Sequence, residues 1–221
     1  MTHKPTAVFD FDGTIISKDS YYEFTKQLIR NSVLRSLFAI LSLPIIIPLV
    51  CIPSTKKWGF NIPCFIATVG QKHSLFKLRH EFVEYFLQNS DVTVYQDALK
   101  DLQCHREKGE QIVIISGCPQ WLLHALVKAI GIQNVKIIGS KQTLFLSGLL
   151  IQHHCFGANK INMARKVNQQ TSLWTTGYSD SSTDIPMLNL CKKAVLINSS
   201  SSSINQFKKK LTIPSTHRNY R

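Results

Sequence analysis

The stretch Val8–Thr14, "VFDFDGT", decides the reading of this chain. It closes an apolar run, "TAVFD" (6–10), that shows no polar alternation. Strands covered on both faces have that pattern. Asp10 and Asp12 are two residues apart, so in extended backbone their side chains point the same way. Gly13 then permits a tight turn. Two carboxylates at the mouth of a buried sheet repel each other and resist desolvation. A divalent cation relieves both penalties. A plainer reading uses the same residues as a turn whose aspartates cap a helix.

A second acidic pair lies in "GYSDSSTDIPML" (177–188), where Asp180 follows another apolar strand and Asp184 comes four residues later. In a doubly wound sheet the carboxyl ends of the strands face one crevice, where ligands bind. Asp10, Asp12, Asp180 and Asp184 would then surround one Mg2+, a hard cation that prefers oxygen ligands. Asp184 equally suits the N-cap of a helix with Pro186 in its first turn, and the two readings are compatible. In "IVIISGCPQWLL" (112–123) Ser116 is expected to end a strand and Gly117 to open a helix. Exposed N–H groups and a hydroxyl at a helix N-terminus make an anion seat. Lys160, in "FGANKINMARK" (156–166), is placed to neutralise a phosphoryl group, although a single lysine carries little weight alone.

Further apolar runs, "QIVIIS" (111–116), "VKIIG" (135–139), "LWTTGYS" (173–179) and "AVLIN" (194–198), read as buried parallel strands. Helical patterns at Pro119–Ile130 and Asn159–Val167 lie between them. Gly148 suggests a small β-hairpin before Lys160. The alternation predicts a Rossmann-like, three-layer α/β/α core with a parallel sheet. About a hundred residues separate the first strand from the second, far more than one crossover needs. Residues 1–16 and 96–207 are therefore assigned to the core and 17–95 to an inserted, mainly helical cap. The serines at 199–203 read as a flexible linker, and 208–221 as a basic surface tail.

The cap contains "SLFAILSLPIIIPLVCIPST" (36–55), which has no charged residue, and then "WGFNIPCFIATVGQ" (58–71). The chain as a whole has 26 Lys and Arg against 13 Asp and Glu, a formal charge of +13. That excess favours a phosphorylated substrate, an anionic lipid surface or nucleic acid, or else is a basic solvated face. No aromatic–basic recognition pattern appears, so nucleic acid is set aside. Six scattered cysteines without a CxxC pair read as reduced thiols in cytosol. Asp10 precedes the apolar stretches, and Ser116, Lys160 and Asp180 follow them. All must meet on one side of a membrane, so the chain crosses it twice or not at all. The second stretch, at 14 residues, is short for a crossing. The reading is a hairpin at about 36–71 that dips into one leaflet, its first arm broken by Pro44, Pro48 and Pro53. Lys26, Arg30, Arg35, Lys56, Lys57, Lys72, Lys77 and Arg79 flank it and suit anionic headgroups. The alternative is a closed cap core.

In order and spacing, the DxDGT strand end, the strand-end serine, the lysine and the distant acidic pair resemble the haloacid dehalogenase superfamily, in its subfamily IB form. That resemblance implies an aspartate-based phosphotransferase. Asp10 would be the nucleophile, and Asp12 the general acid and then base. Mg2+ would be held by the Asp10 side chain, the Asp12 backbone carbonyl and Asp180, with Asp184 orienting its water. Ser116, the Gly117 N–H and Lys160 would hold the phosphoryl oxygens. An acid two residues after the nucleophile suits phosphate esters, because an alkoxide needs a proton on leaving and a halide does not. "DFDGTIISKDSYYEFTKQLIR" (10–30), the apolar run, "HCFGANK" (154–160) and "GYSDSSTDIPMLNLC" (177–191) are similar to the bacterial phosphatidylglycerophosphatase C branch. This implies removal of the terminal phosphate of phosphatidylglycerophosphate at the cytoplasmic face of the inner membrane. The alternative is a soluble, cytoplasmic phosphomonoesterase acting on a small metabolite such as phosphoserine. The sequence carries no signature of an oligomeric state.

Overall fold

Strand β1 (Thr6–Phe9) is buried along its whole length and stands in the middle of a seven-stranded sheet. The computed structural model describes residues 4–52, 55–71, 75–89, 91–167 and 169–221, without the side chains of Lys56, Lys57 and Leu173. Pro53 and Lys72, named above, lie outside the described residues. The other strands are β2 (Gln111–Pro119), β3 (Lys136–Phe145), β4 (Gly148–His153), β5 (Trp174–Ser179), β6 (Lys193–Ile197) and β7 (Ser215–Arg218). Their order across the sheet is β4-β3-β2-β1-β5-β6-β7. β1 pairs in parallel with β2 and β5, and β5–β6 and β6–β7 are parallel as well. Only the β3–β4 hairpin pairs antiparallel among the described ladders.

The chain divides into two compact units. The first comprises Met1–Asp19, Ser90–Gly139 and Cys155–Arg221. Its helices are α5 (Gln96–Glu107), α6 (Gln120–Ala129), α7 (Asn159–Lys166), α8 (Ile185–Leu188) and α9 (Ser201–Lys210). They cover both faces of the sheet, as the alternation of β1 requires. Val8 packs into a core with Val113, Met163, Trp174, Leu188 and Phe207. Phe9 points the other way, stacking on Tyr178 at 4.0 Å between ring centres and meeting His105 of α5 edge-on. This is the expected three-layer α/β/α core.

Two features of the C-terminal region differ from the sequence reading. The serine run is no linker: Ser200 caps α9 by accepting a hydrogen bond from the Ser203 N–H, and Phe207 anchors the helix in the core. Residues 208–221 lie mostly at the surface but are ordered. Ser215–Arg218 adds β7 to the sheet, and Tyr220 is buried with its hydroxyl on Asp101. Four polar residues in a strand carry no apolar alternation, which hides β7 in the sequence.

The second unit comprises Ser20–Asn89 and Ser140–His154, so the far half of the β3–β4 hairpin groups with the inserted helices. These helices are α1 (Ser20–Arg30), α2 (Val33–Cys51), α3 (Lys56–Thr68) and α4 (Leu75–Gln88). α1 and α4 are amphipathic and bury Phe24, Leu28, Phe82 and Phe86. α2 is different. It runs unbroken through Pro44 and Pro48 and buries no residue at all. Each proline removes one N–H donor but leaves the helix continuous, so the expected break does not occur. The Ser42 hydroxyl donates to the Ala39 carbonyl at 2.8 Å one turn before Pro44.

α3 turns a polar stripe, Asn61, Cys64 and Thr68, onto the outer edge of β4. The Asn61 amide pairs with both backbone groups of Ile151, accepting from its N–H at 2.6 Å and donating to its carbonyl at 3.4 Å. The Leu149 N–H donates to Thr68 Oγ1 at 2.7 Å, and Cys64 Sγ donates to the Leu149 carbonyl at 3.1 Å. Spacings of three and four along the helix put these side chains on one face, and a spacing of two along the strand presents both residues to them. An edge strand that would otherwise leave its groups unpaired is closed by a helix.

Candidate active site

Every site residue predicted from the sequence belongs to the first unit, at or just beyond the carboxyl ends of β1, β2 and β5 or on α7. Asp10 follows β1 directly, and its N–H donates to the Tyr178 carbonyl at 2.9 Å, so the nucleophile candidate is fixed to β5. Gly13 then turns the chain at φ +77°, with its N–H on the Ile16 carbonyl at 2.7 Å. A Cβ at Gly13 would stand 2.5 Å from Asp180 Oδ2, so only glycine lets the loop pass that carboxylate.

Lys160 joins two of the acids. Its ammonium donates to Asp10 Oδ1 at 2.8 Å and to Asp184 Oδ2 at 2.7 Å, with all three side chains buried. Ser179 Oγ donates to the same Asp184 oxygen at 2.8 Å. Asp184 stands at the N-cap position of α8 but makes no side-chain capping bond, its carboxylate being directed to Lys160 and Ser179. Ser116 Oγ donates to Asp12 Oδ2 at 3.1 Å and accepts from the Cys118 N–H at 3.0 Å. β2 continues through Gly117 to Pro119, and α6 starts at Gln120. Gly117 therefore does not open the helix as expected. The strand outlasts Ser116 because Cys118 and Pro119 remain buried.

Thr14 and Ser179 are additions to the predicted set. The Asp180 N–H donates to Thr14 Oγ1 at 3.1 Å, and Thr14 Oγ1 reaches Asp180 Oδ1 at 3.5 Å. Thr14 thus positions Asp180 against the Asp10 loop. Thr14 lies inside the DxDGT motif and Ser179 directly precedes Asp180, so proximity in sequence was the available signal.

The electrostatics follow from this crowding. Burial, with repulsion from Asp184 and Asp180, raises the Asp10 pKa well above the ordinary carboxylate value, against the pull of Lys160. Burial and the Asp184 charge push Asp180 up to about 6. Burial alone would lower the Lys160 pKa, but the charges of Asp10 and Asp184 outweigh it, and the ammonium holds its proton more tightly than usual. One cation therefore faces three carboxylates.

The residues fit a hard divalent cation. Among the described residues, Asp184 Oδ1 is buried with no hydrogen-bond partner, and Lys160 is the one cation paired with these carboxylates. Among the described residues no three His, Cys, Asp or Glu side chains gather closely enough to hold a metal by themselves. A set of two carboxylates and a backbone carbonyl, which the family resemblance implies, requires no such trio.

Comparison with known proteins finds the same fold elsewhere. Solved structures with the same fold include a Bordetella pertussis protein of unknown function, 15% identical with a TM-score of 0.72, covering 97% of this chain and 98% of that one. A phosphoserine phosphohydrolase-like protein from Francisella tularensis is 14% identical with a TM-score of 0.59, covering 94% and 99%. A phosphoserine phosphatase, solved as a phospho-aspartyl intermediate analogue, is 11% identical with a TM-score of 0.59, covering 99% and 96%. At these identities the likeness is one of fold. Residues 7–189 match the haloacid dehalogenase-like hydrolase family, a span that takes in Asp10, Asp12, Ser116, Lys160, Asp180 and Asp184, and the chain belongs to that family.

Proposed function

We propose that this hydrolase is a Mg2+-dependent phosphatase that removes the terminal phosphate of phosphatidylglycerophosphate at the cytoplasmic face of a bacterial inner membrane. Asp10 attacks phosphorus, forming an aspartyl–phosphate bond as the ester P–O bond breaks. Asp12 gives its proton to the departing alkoxide, then takes one from the water that attacks the intermediate. That second attack breaks the aspartyl–phosphate bond and releases orthophosphate. Lys160 and Ser116 hold the phosphoryl oxygens, and Thr14 and Ser179 fix Asp180 and Asp184. Mg2+, held by Asp10, the Asp12 carbonyl and Asp180, would offset charge on the phosphoryl group.

The observation that carries the lipid substrate is α2. It is 19 residues long, has a mean hydropathy of 2.3, and none of it is buried. At about 1.5 Å per residue it is close to the thickness of a hydrocarbon core. Arg35 stands near one end of α2, and Lys56 and Lys57 follow the other in sequence. A hairpin pushed tip-first to the bilayer centre would carry those lysines with it, at about 3 kcal/mol each. We therefore infer that α2 lies along the leaflet, with cations near the headgroups at both ends. α3 stays with the protein, because Asn61, Cys64 and Thr68 are committed to β4. That commitment also favours, for residues 61–68, the closed-cap arrangement of a soluble phosphomonoesterase, which is the second reading.

A panel of phosphorylated lipids and metabolites separates the two. Phosphatidylglycerophosphate in mixed micelles should be the preferred substrate, and Asp10→Asn should abolish its turnover. A preference for phosphoserine or a sugar phosphate over every phospholipid would establish the soluble reading instead.

A further inference from the structure

The β3–β4 hairpin ends in three consecutive apolar residues, Leu144, Phe145 and Leu146, which are 49, 51 and 73% exposed. A run of this kind in solvent is anomalous unless it has a use. The turn itself is also unusual. Leu146 and Ser147 sit at φ +43° and +66°, positions at which a two-residue hairpin turn favours Asn, Asp or Gly. A bulky leucine is among the worst choices for that backbone. The tip therefore keeps an apolar side chain at the expense of its own turn, and it points that side chain outward.

The tip is seated on the apolar helices of its own unit. The Phe145 ring lies 6.4 Å from Phe65 of α3, and Phe65 also packs over Gly148, where a Cβ would come within 2.6 Å of the ring. At the other end of α3, Gly59 fits against Val50 of α2. Apolar side chains thus connect α2, α3 and the hairpin tip. The hairpin itself carries charge of one sign: no Asp or Glu occurs between Ser140 and His154, and Lys141 is exposed on β3.

We propose that Leu144–Leu146 is a second membrane contact, entering the headgroup–acyl boundary of an anionic bilayer beside α2. The proposal rests on the membrane reading given above. The chemistry is that of an interfacial anchor: a small apolar wedge for the acyl boundary, and Lys141 on the adjoining strand for anionic headgroups. Two separated contacts would fix the orientation of this unit on the leaflet, which one helix alone leaves free to roll.

Leu146→Asn tests the idea cleanly, because asparagine tolerates the left-handed turn and removes the apolar side chain. Leu146→Asp is its companion. Both variants and the wild type are assayed for co-sedimentation with vesicles of phosphatidylglycerol and phosphatidylcholine, for thermal stability, and for hydrolysis of a soluble aryl phosphate. Both variants should partition about tenfold less. Aryl phosphate turnover should be unchanged, and Leu146→Asn should melt no lower than wild type. A photo-crosslinking residue at 145 should label lipid. If wild type binds vesicles and both variants bind equally well, the tip is not a contact, while the function proposed for α2 stands. If wild type itself does not bind, the membrane reading fails and the tip proposal with it. Crosslinking to a second copy of the chain, with lipid unlabelled, would make the tip a self-association surface and overturn the proposal.

Discussion

The Lys160 ammonium lies 2.8 Å from Asp10 Oδ1, with both side chains buried, so the nucleophile candidate has a cation already at its side. The same nitrogen holds Asp184, and removing it strands two carboxylates. Lys160→Met should therefore destabilise the protein by about 3–5 kcal/mol at neutral pH and abolish turnover. Burial raises the Asp10 pKa against the pull of Lys160, and without the ammonium that rise is unopposed. The stability from its protonation is present at low pH and lost as pH rises. The variant should accordingly recover part of its deficit between pH 7.5 and 5 in urea titrations. A deficit independent of pH would show that packing, not charge, was lost.

Asp180 gives a second pH dependence in the metal-free protein. Its pKa is raised to about 6, so its contribution to stability is greatest below the ordinary carboxylate range and disappears as pH climbs through about 6. Metal-free wild type should gain stability on acidification from pH 7.5 to 5.5, and Asp180→Asn should flatten that slope. Melting curves of both proteins in EDTA decide the matter, and parallel slopes would remove Asp180 as the cause.

Gly13→Ala combines a positive φ with a Cβ that meets the Asp180 carboxylate. The variant should fold with a loss of about 1–3 kcal/mol, because either the turn or the carboxylate must shift. Turnover should fall about a hundredfold, the penalty for misplacing a reacting group by roughly an ångström. Steady-state kinetics would show this mainly in kcat, and a variant with wild-type kcat would show that the loop adapts without moving Asp180.

The cysteines give a map of exposure. Cys51 and Cys104 are exposed, whereas Cys64, Cys155 and Cys191 are buried. Burial pushes the Cys64 thiol up to about 11 and the other two up to about 12. Thiolate is the reactive form, so at pH 8 these three should resist a charged alkylating reagent while Cys51 and Cys104 react. Anionic vesicles should then shield Cys51, the last residue of α2, and leave Cys104 reactive. Mass spectrometry of labelled peptides reads both outcomes. Equal labelling of Cys51 with and without vesicles would place the end of α2 outside the lipid.

The parts of this molecule legible in the sequence are those where one residue type has few alternatives. An apolar strand ending in DxDG has to present its acids where Asp10 and Asp12 are found, and the strand before Asp180 puts that residue beside them. Lys160 and Ser116 could be named but not weighed, since a lysine or a Ser-Gly turn is common. Their significance is three-dimensional, arising from contacts 150 and 104 residues apart in the chain. The end of β2 is hidden in the sequence because Gly117 is a usual helix-start signal, whereas burial of Cys118 and Pro119 carries the strand on. β7 is illegible for the opposite reason: an edge strand of Ser, Thr, His and Arg takes its place from backbone pairing with β6, which leaves no pattern in the side chains. The polar stripe of α3 is masked by an apolar average composition, in which three hydrogen-bonding side chains disappear.

That stripe sets where this protein would aggregate. The far edge of the sheet offers no template to an incoming strand while Asn61, Cys64 and Thr68 occupy Leu149 and Ile151. The closure is made by side chains of a separate helix and is only as durable as the seating of α3. Should heat lift that helix, four backbone groups would be uncovered together beside the apolar tip at Leu144–Leu146. The first intermolecular β-pairing would then form at β4, in molecules whose catalytic strands are still folded.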